Sequence, residues 1–232
     1  MLIPSIDLMG GKIVQLIQGE KKALEFDNFD DWIARFSVFP LVQLIDLDAA
    51  TGDGNNAALA RRFLHALPCQ LGGGIRSIAA ARDAINAGAQ RVILGSVLIR
   101  SGEIDLRAAR ELAQEFGADK LVFAIDARGE RVAIRGWKET TEISPLQMIA
   151  ALDRFCCAFL YTNIDTEGLM KGIPLEPIRK LRNATKKQLI VAGGISTHEQ
   201  ISQLHDMQVD AVVGMALYSG FLKLPDTIPL AK

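Results

Sequence analysis

Two stretches that end alike, LIPSID at Leu2–Asp7 and LVFAID at Leu121–Asp126, decide the fold that this sequence predicts. Each is a short aliphatic run that ends in an aspartate, and the two aspartates stand 119 positions apart in a chain of 232 residues. Such runs are typical of strands that are buried on both faces of a parallel sheet. Their recurrence indicates that the chain repeats one structural unit about half-way along its length.

Six further apolar runs are separated from these two, and from one another, by longer amphipathic stretches. We expect strands at Leu2–Asp7, Leu41–Leu47, Cys69–Leu71, Arg91–Leu94, Leu121–Asp126, Ala158–Thr162, Gln188–Ala192 and Ala211–Val213. We expect helices in the stretches between them, at Ser77–Ala87, Ile104–Phe116, Ser144–Phe155 and from Thr197 to Leu204. Alternation of strands with helices predicts βαβ units and a parallel sheet.

Landmarks at the ends of the expected strands recur in the same order in both halves of the chain. They pair Asp7 with Asp126, Gly73–Ile75 with Gly193–Ile195, Gly95 with Gly214, and Asp46 with Thr162. Eight strands in two matched sets of four predict a (β/α)8 TIM barrel built from two similar half-barrels, with an open doubly wound sheet as the alternative. No linker separates the halves, so we expect residues 1–232 to form a single domain.

Composition excludes several classes of function. The net charge of −1 provides no basic field for DNA or RNA. No apolar run reaches the roughly 18 residues that span a membrane, and the first residues do not resemble a secretion signal. The cysteines Cys69, Cys156 and Cys157 have the spacing of neither a disulfide framework nor a zinc site. We therefore expect a cytoplasmic protein that binds neither nucleic acid nor membrane.

The aspartates that end the two matched strands are the first candidates for chemistry. A charged side chain at the end of a buried strand is costly unless it reaches a solvated or functional mouth. In a barrel, Asp7 and Asp126 would both lie at the face where active sites form. There one carboxylate is able to take a proton while the other gives one. The alternative is that each caps a loop or pairs with an arginine.

Glycines after the strands are the second signal, because they let an anion approach the backbone and the N–H groups at the start of a helix. The candidate phosphate ligands are Gly73, Gly74, Gly95, Ser96, Gly193, Gly194 and Gly214. They form two clusters at repeat-equivalent positions, which predicts a substrate with two phosphate groups lying across Asp7 and Asp126. The alternative is that the glycines only make tight turns.

Other side chains are weaker candidates. Trp137 follows the fifth strand, where it would stack on a heterocycle, and Thr162 ends the sixth strand, where it would bond Asp126 or the substrate. The three histidines fall on expected helices, away from strand ends, at His65, His198 and His205. We therefore expect neither a histidine-based mechanism nor a metal site.

Motifs along nearly the whole chain resemble those of the histidine-biosynthesis (β/α)8-barrel family. In order, they are IPSIDLMGGKIVQLIQGE, QLIDLDAATG, QLGGGIRS, LGSVLI, FAIDARGERVAIRGW, LYTNIDTEGLMKG, VAGGIS and VGMALYSG. The Gly136–Trp137 pair is more similar to the isomerases of that family than to its cyclases.

The resemblance implies an Amadori rearrangement of phosphoribosylformimino-5-aminoimidazole carboxamide ribotide, from aminoaldose to aminoketose, without metal or organic cofactor. It implies that Asp7 is the general base and that Asp126 acts as, or supports, the acid. Thr162 would orient the substrate, Trp137 would cover its heterocycle, and the glycine clusters would bind its phosphates. The only partner expected is this small molecule, and we expect a monomer.

Three positions depart from the family pattern. Glu167 stands where the family often has an aspartate, which leaves open whether Asp126 or Glu167 is the acid. Gln15 replaces an arginine in the first loop, and Met215 replaces a basic residue after the last strand. The phosphate nearest to them would depend on backbone N–H groups.

Two further functions stay open at this point. Arg135 precedes the Gly136–Trp137 pair, as in bifunctional relatives that also isomerise phosphoribosylanthranilate. Its guanidinium would bind the anthranilate carboxylate through two parallel hydrogen bonds. The other possibility is a non-catalytic barrel that only binds bisphosphates. Retention of both Asp7 and Asp126 speaks against it.

Overall fold

The fold is described by a computed structural model that covers residues 1–223. Its strands in chain order are β1 (Leu2–Met9), β2 (Lys12–Ile17), β3 (Lys21–Phe26), β4 (Val42–Asp46), β5 (Cys69–Gly72), β6 (Arg91–Leu94), β7 (Ile99–Arg100), β8 (Glu103–Ile104), β9 (Leu121–Arg128), β10 (Arg131–Ile134), β11 (Glu139–Thr140), β12 (Ala158–Asn163), β13 (Gln188–Ala192) and β14 (Val209–Val213). The helices are α1 (Phe29–Phe36), α2 (Leu47–Thr51), α3 (Ala57–Ala66), α4 (Ile78–Asn86), α5 (Leu106–Phe116), α6 (Pro145–Leu152), α7 (Leu175–Ala184), α8 (His198–Asp206) and α9 (Met215–Tyr218).

Eight of the strands close into a ring. Parallel pairing runs from β1 through β4, β5, β6, β9, β12, β13 and β14, and β14 pairs with β1 again. The predicted (β/α)8 barrel is therefore confirmed, and the alternative of an open sheet is wrong. All eight expected strands are present, each within two residues of its predicted ends. In this ring β1 and β9 lie four steps apart, which places the strands that carry Asp7 and Asp126 opposite each other.

The hydrophobic core has two layers, because side chains of a barrel strand alternate between the interior and the surrounding helices. The larger layer packs the outer faces of the strands against the helices and includes the fully buried Phe63, Phe123 and Phe159. The smaller layer fills the barrel interior with aliphatic side chains such as Ile3 and Val122. An aliphatic interior of this kind fits the low aromatic content of 6%.

Polar side chains close the floor of the barrel, at the end opposite to the strand C-termini. Arg91 donates to Gln70 at 2.7 Å and to Gln188 at 2.6 Å. Gln70 donates to Gln43 at 3.1 Å, and Gln188 donates to Asp210 at 2.6 Å. These mutual hydrogen bonds satisfy most of the polar groups at this end of the interior, whereas the buried Nε of Arg91 has no partner within residues 1–223.

Helix caps agree with the sequence. The side chains of Ser77 and Thr197 each accept a hydrogen bond from the third backbone N–H of the helix that they begin, α4 and α8. Ser144 begins α6 in a full capping box with Gln147. This helix ends earlier than expected, at Leu152, and continues to Phe155 only as a 3-10 turn.

Two antiparallel hairpins, which were not expected from the sequence, extend barrel strands beyond the ring. β2 and β3 follow β1, and β10 with β11 follows β9. The turns that follow β1 and β9 are held by equivalent hydrogen bonds. The N–H of Gly10 donates to Asp48 at 2.7 Å, and the N–H of Gly129 donates to Asp165 at 2.7 Å. The hairpins thus belong to the repeat, and glycine turns flanked by β-branched runs were the signal for them.

The structure corrects one pairing in the repeat. Asp46 is equivalent to Asn163 rather than to Thr162, because both side chains cap the turn that follows their strand, accepting from Ala49 and Thr166 at 3.1 and 3.2 Å. The second of the two segments is one residue shorter, which shifted the alignment of the sequences.

We expect Asp46→Ala to destabilise the barrel by about 3 kcal/mol, because unmet buried donors cost about 1–3 kcal/mol each. The buried Asp46 carboxylate accepts from the backbone N–H groups of Ala49 and Asn56 and from the Asn56 side chain. Urea unfolding measures the change, with the exposed Asp83→Ala as the control. Equal stability of the two variants would contradict this role.

Candidate active site

Three carboxyl groups line one cavity of about 240 Å³ at the C-terminal ends of the barrel strands. Asp7 comes from β1, Asp126 comes from β9, and Glu167 comes from the loop after β12. All three side chains are partly buried. The structure thus brings together the two predicted aspartates and the glutamate that departs from the family pattern.

Asp7 is the carboxylate with the simplest surroundings. Burial raises its pKa to about 6, and the hydroxyl of Ser5, which donates to it at 2.9 Å, partly offsets this rise. At neutral pH the group is therefore mostly ionised while its basicity exceeds that of a solvated aspartate. A carboxylate of this kind is suited to take a proton from carbon.

Asp126 lies under two hydrogen-bond donors. Burial raises its pKa, and the side chains of Trp137 and Thr162 oppose the rise by donating to the carboxylate. Both donors favour the ionised form. Thr162 stands directly opposite Asp126 in the pairing of β12 with β9. Its expected bond to Asp126 or the substrate, and the expected stacking of Trp137 on a heterocycle, both stay predictions.

Glu167 is surrounded differently. Burial is the largest cause that raises its pKa to about 8, and the charges of Asp7 and Asp126 add to the rise. Two ionised neighbours make the third negative charge unfavourable, so Glu167 keeps its proton at neutral pH. Unequal surroundings of this kind separate a proton donor from a proton acceptor within one cavity.

The two glycine clusters have nearly the same backbone conformation. Gly73 and Gly193 have φ values of 97° and 111°. A Cβ atom on either would collide with the carbonyl oxygen of Asp46 or Asn163, the last residue of the neighbouring strand β4 or β12. Gly95 and Gly214 have φ, ψ of −120°, −90° and −114°, −91°. The cavity is thus bordered by two matched backbone rims, one at β5–β6 and one at β13–β14.

The helix N-termini lie farther from the glycines than expected. Gly74 and Gly194 are separated from α4 and α8 by the capping residues Ser77 and Thr197 and the residues before them. Instead, Gly95 and Gly214 directly precede helical turns, the 3-10 turn Ser96–Leu98 and α9. The Ser96 hydroxyl accepts from the backbone N–H of Arg135 at 2.9 Å, which leaves its own proton for another acceptor.

Among the described residues, cationic side chains line the cavity only on the β5–β6 side. Arg76 follows Gly73 and Gly74, and the backbone N–H of Arg135 donates to Ser96 of the same rim. The β13–β14 rim has the buried amide of Gln15 and the side chain of Met215 in their place. Arg76 was not among the phosphate ligands expected from the sequence, although the GGIR motif after a strand pointed to it.

The segment that carries Trp137 has an unusual backbone. Arg135, Gly136 and Trp137 have successive φ values of 56°, 65° and 67°, in the left-handed region that non-glycine residues seldom adopt. The Arg135 guanidinium pairs with Glu139 at 2.7 Å, on the solvent side. The guanidinium that would have to bind the carboxylate of phosphoribosylanthranilate is therefore already engaged in an ion pair.

The remaining candidates lie outside the cavity. The three histidines are exposed on or next to helices, at His65, His198 and His205. Within residues 1–223, no group of three His, Cys, Asp or Glu side chains is arranged to hold a metal ion. No helix in this part of the chain has the length and apolar character needed to cross a membrane.

The fold and the cavity together define a (β/α)8 barrel with three carboxyl groups between two glycine-rich backbone rims. Residues 1–223 match the family described as histidine biosynthesis protein, and the chain belongs to this family.

Curated relatives support the same assignment. The chain is 34% identical to a protein of Methanosphaera stadtmanae, with 100% of both chains covered. It is 36% identical to one of Methanocaldococcus jannaschii, with 100% of this chain and 99% of the relative covered. It is 37% identical to one of Methanothrix thermoacetophila, with 100% and 98% covered. All three are named 1-(5-phosphoribosyl)-5-((5-phosphoribosylamino)methylideneamino) imidazole-4-carboxamide isomerase.

We expect Glu167→Gln to become stabilising as pH rises. The pKa of Glu167 is about 8 in the folded protein against 4.5 for the free side chain, so the folded state holds the extra proton between these values. Stability therefore falls with rising pH across that window, and the amide removes this loss. Thermal unfolding at pH 4.5 and 8.5 measures it, with a gain of ~1–2 kcal/mol at pH 8.5 after allowance for partial exposure.

The exposed Glu130→Gln is the matched control, since it removes one carboxylate from the surface. It should change stability equally little at both pH values. The same pH dependence in both variants would contradict the assigned protonation of Glu167.

Proposed function

We propose that this protein is an aldose–ketose isomerase of histidine biosynthesis. It would convert phosphoribosylformimino-5-aminoimidazole carboxamide ribotide to its phosphoribulosyl form by an Amadori rearrangement. The observation that carries the proposal is the set of three carboxyl groups with unequal proton affinities between two matched backbone rims. The names of the full-length relatives support the same reaction.

The rearrangement is a series of proton transfers on one sugar. A proton is first given to the ring oxygen, so that the ring opens to a Schiff base, and a proton is then removed from C2 to give an enolamine. Asp7, ionised at neutral pH, is the proposed base for C2. The enolamine becomes the ketone when C1 takes a proton and the C2 hydroxyl loses one, so the same cavity needs a group that gives a proton and a group that accepts one.

Two carboxyl groups are candidates for the acid. The donors Trp137 and Thr162 favour an ionised Asp126, whereas the raised pKa of Glu167 keeps a proton on it at pH 7. These surroundings favour Glu167 as the group that protonates the ring oxygen. Asp126, held by Thr162, would then stabilise the cationic Schiff base by its negative charge.

The rims are the proposed sites of the two phosphates. Gly73, Gly74, Gly95 and Ser96 would bind one, assisted by the charge of Arg76. Gly193, Gly194 and Gly214 would bind the other through backbone N–H groups. Trp137 would cover the imidazole between them. The hydrophobic and hydrogen-bonding groups of the cavity suffice for this chemistry, so we propose no metal and no organic cofactor.

Several properties of the whole chain belong to the same proposal. We propose that residues 1–232 form one domain, that the protein acts as a cytoplasmic monomer, and that it binds neither nucleic acid nor membrane. Neither alternative function is favoured: the Arg135 guanidinium is paired with Glu139, and the carboxyl groups of a catalytic cavity are retained.

We expect Asp7→Asn to lower kcat by at least about 100-fold, the usual contribution of a general base. The assay follows turnover of the imidazole aminoaldose by the purified protein at pH 7. Asp27→Asn, an exposed aspartate outside the cavity, is the control and should keep full activity. A wild-type protein without turnover, or an active Asp7→Asn, would refute the proposed function.

A comparison of Glu167→Gln with Asp126→Asn identifies the acid. We expect Glu167→Gln to remove the alkaline limb of the kcat/KM profile near pH 8 and to lower kcat by about 100-fold. Asp126→Asn should lower kcat while that limb persists, because the proton on Glu167 is still present. If the limb disappears in Asp126→Asn and persists in Glu167→Gln, Asp126 is the acid.

A further inference from the structure

We propose that Gly19 is a positioning residue for the reaction. Its missing side chain leaves the space that seats the indole of Trp137 and thereby holds that donor on Asp126. The inference rests on the proposed function for its effect on turnover, whereas the seating itself is a property of the protein alone.

The contact between Gly19 and Trp137 is close. Gly19 lies in the turn between β2 and β3, with a φ of 73°. A Cβ atom on it would stand 2.7 Å from Cε3 and 2.8 Å from Cζ3 of Trp137. Since real Cβ contacts are essentially never this short, any larger residue would force the indole or the turn to move.

The other edge of the same indole acts on the active site. Trp137 and Asp126 line the same cavity, and the indole N–H lowers the pKa of that carboxylate by hydrogen bonding, against the effect of burial. The backbone φ of 67° at Trp137 leaves the residue in a conformation that must be supported by packing. Gly19 provides that support from the six-membered ring, opposite to the N–H group. A displaced ring would withdraw the donor from Asp126.

The turn that contains Gly19 also holds the loop of Glu167. The backbone N–H of Gln18 donates to the carbonyl oxygen of Glu167 at 3.1 Å, and the Gln18 side chain donates to the carbonyl oxygen of Asp165 at 3.2 Å. Gly168 packs directly on the backbone of Leu16 in β2. The turn therefore contacts both Trp137, in the second hairpin, and the loop that carries Glu167.

The first hairpin thus does more than cover the cavity. It braces the hairpin that carries Trp137 on one side and the loop that carries Glu167 on the other. Because no side chain projects from Gly19, the first hairpin is able to contact both of these segments at the edge of the cavity that holds Asp126.

Gly19→Ala tests this inference, and Gly11→Ala is its matched control. Gly11 has a nearly equal φ of 75° but nothing within 4 Å of an added Cβ atom, so both variants carry the same backbone strain and only one carries the clash. We expect kcat to fall about 10-fold in Gly19→Ala with a smaller change in KM, and the pH profile of kcat to shift. Gly11→Ala should stay within about 2-fold of wild type.

Fluorescence reports the seating without any substrate. The chain has two tryptophans, so the emission of Trp137 is the difference between each protein and its Trp137→Phe counterpart. We expect Gly19→Ala to shift this emission to longer wavelength, as the indole moves toward water, and Gly11→Ala to leave it unchanged. Thermal unfolding of both variants checks that they fold.

A double-mutant cycle separates positioning from general damage. If Gly19 acts through Trp137, adding Gly19→Ala to Trp137→Phe should lower kcat by less than about 2-fold. A full 10-fold loss in that background, an unshifted Trp137 emission, or equal losses in Gly19→Ala and Gly11→Ala would each overturn the inference. Absence of turnover in the wild type would instead refute the proposed function, while the emission would still test the seating.

Discussion

Burial of three carboxyl groups in one cavity is the constraint on which the rest of this site depends, because burial is the largest cause that raises the pKa of each. Asp7 lies on β1, across the ring from Asp126 on β9, and Glu167 follows β12, the strand next to β9. The three groups are stabilised in different ways. Ser5 lowers the pKa of Asp7, Trp137 and Thr162 lower the pKa of Asp126, and Glu167 keeps its proton. The acid–base asymmetry follows from this division.

The repeat explains how such a site is built. Each half of the chain supplies a barrel strand with an aspartate, a hairpin after it and a glycine rim. In each half a carboxylate from the segment after the neighbouring barrel strand, Asp48 or Asp165, accepts from the N–H of the hairpin turn. Differences between the halves carry the specialised features. Trp137 occurs only in the second hairpin, whereas the Gly19 turn that receives it belongs to the first.

Much of this was predictable from the sequence, for reasons that differ between elements. The eight barrel strands were found because buried parallel strands are continuous aliphatic runs, and the matched aspartates placed Asp7 and Asp126 at one mouth. The hairpins were missed because short exposed strands such as KKALEF at β3 lack an apolar pattern. The contact of Trp137 with Gly19 could not be predicted from the sequence, because the two residues are 118 positions apart and their contact depends on two loop conformations.

The likeness of the two rims has a consequence for the direction in which a substrate enters. A cavity whose ends repeat the same backbone, Gly95 on one side and Gly214 on the other, offers a molecule with two phosphates two opposite orientations. Under the proposed function, only one orientation would bring C2 of the substrate to Asp7. The side chains at the two ends differ, because the charge of Arg76 marks one end and the neutral Gln15 and Met215 mark the other. An uncharged rim would thereby serve to orient the substrate.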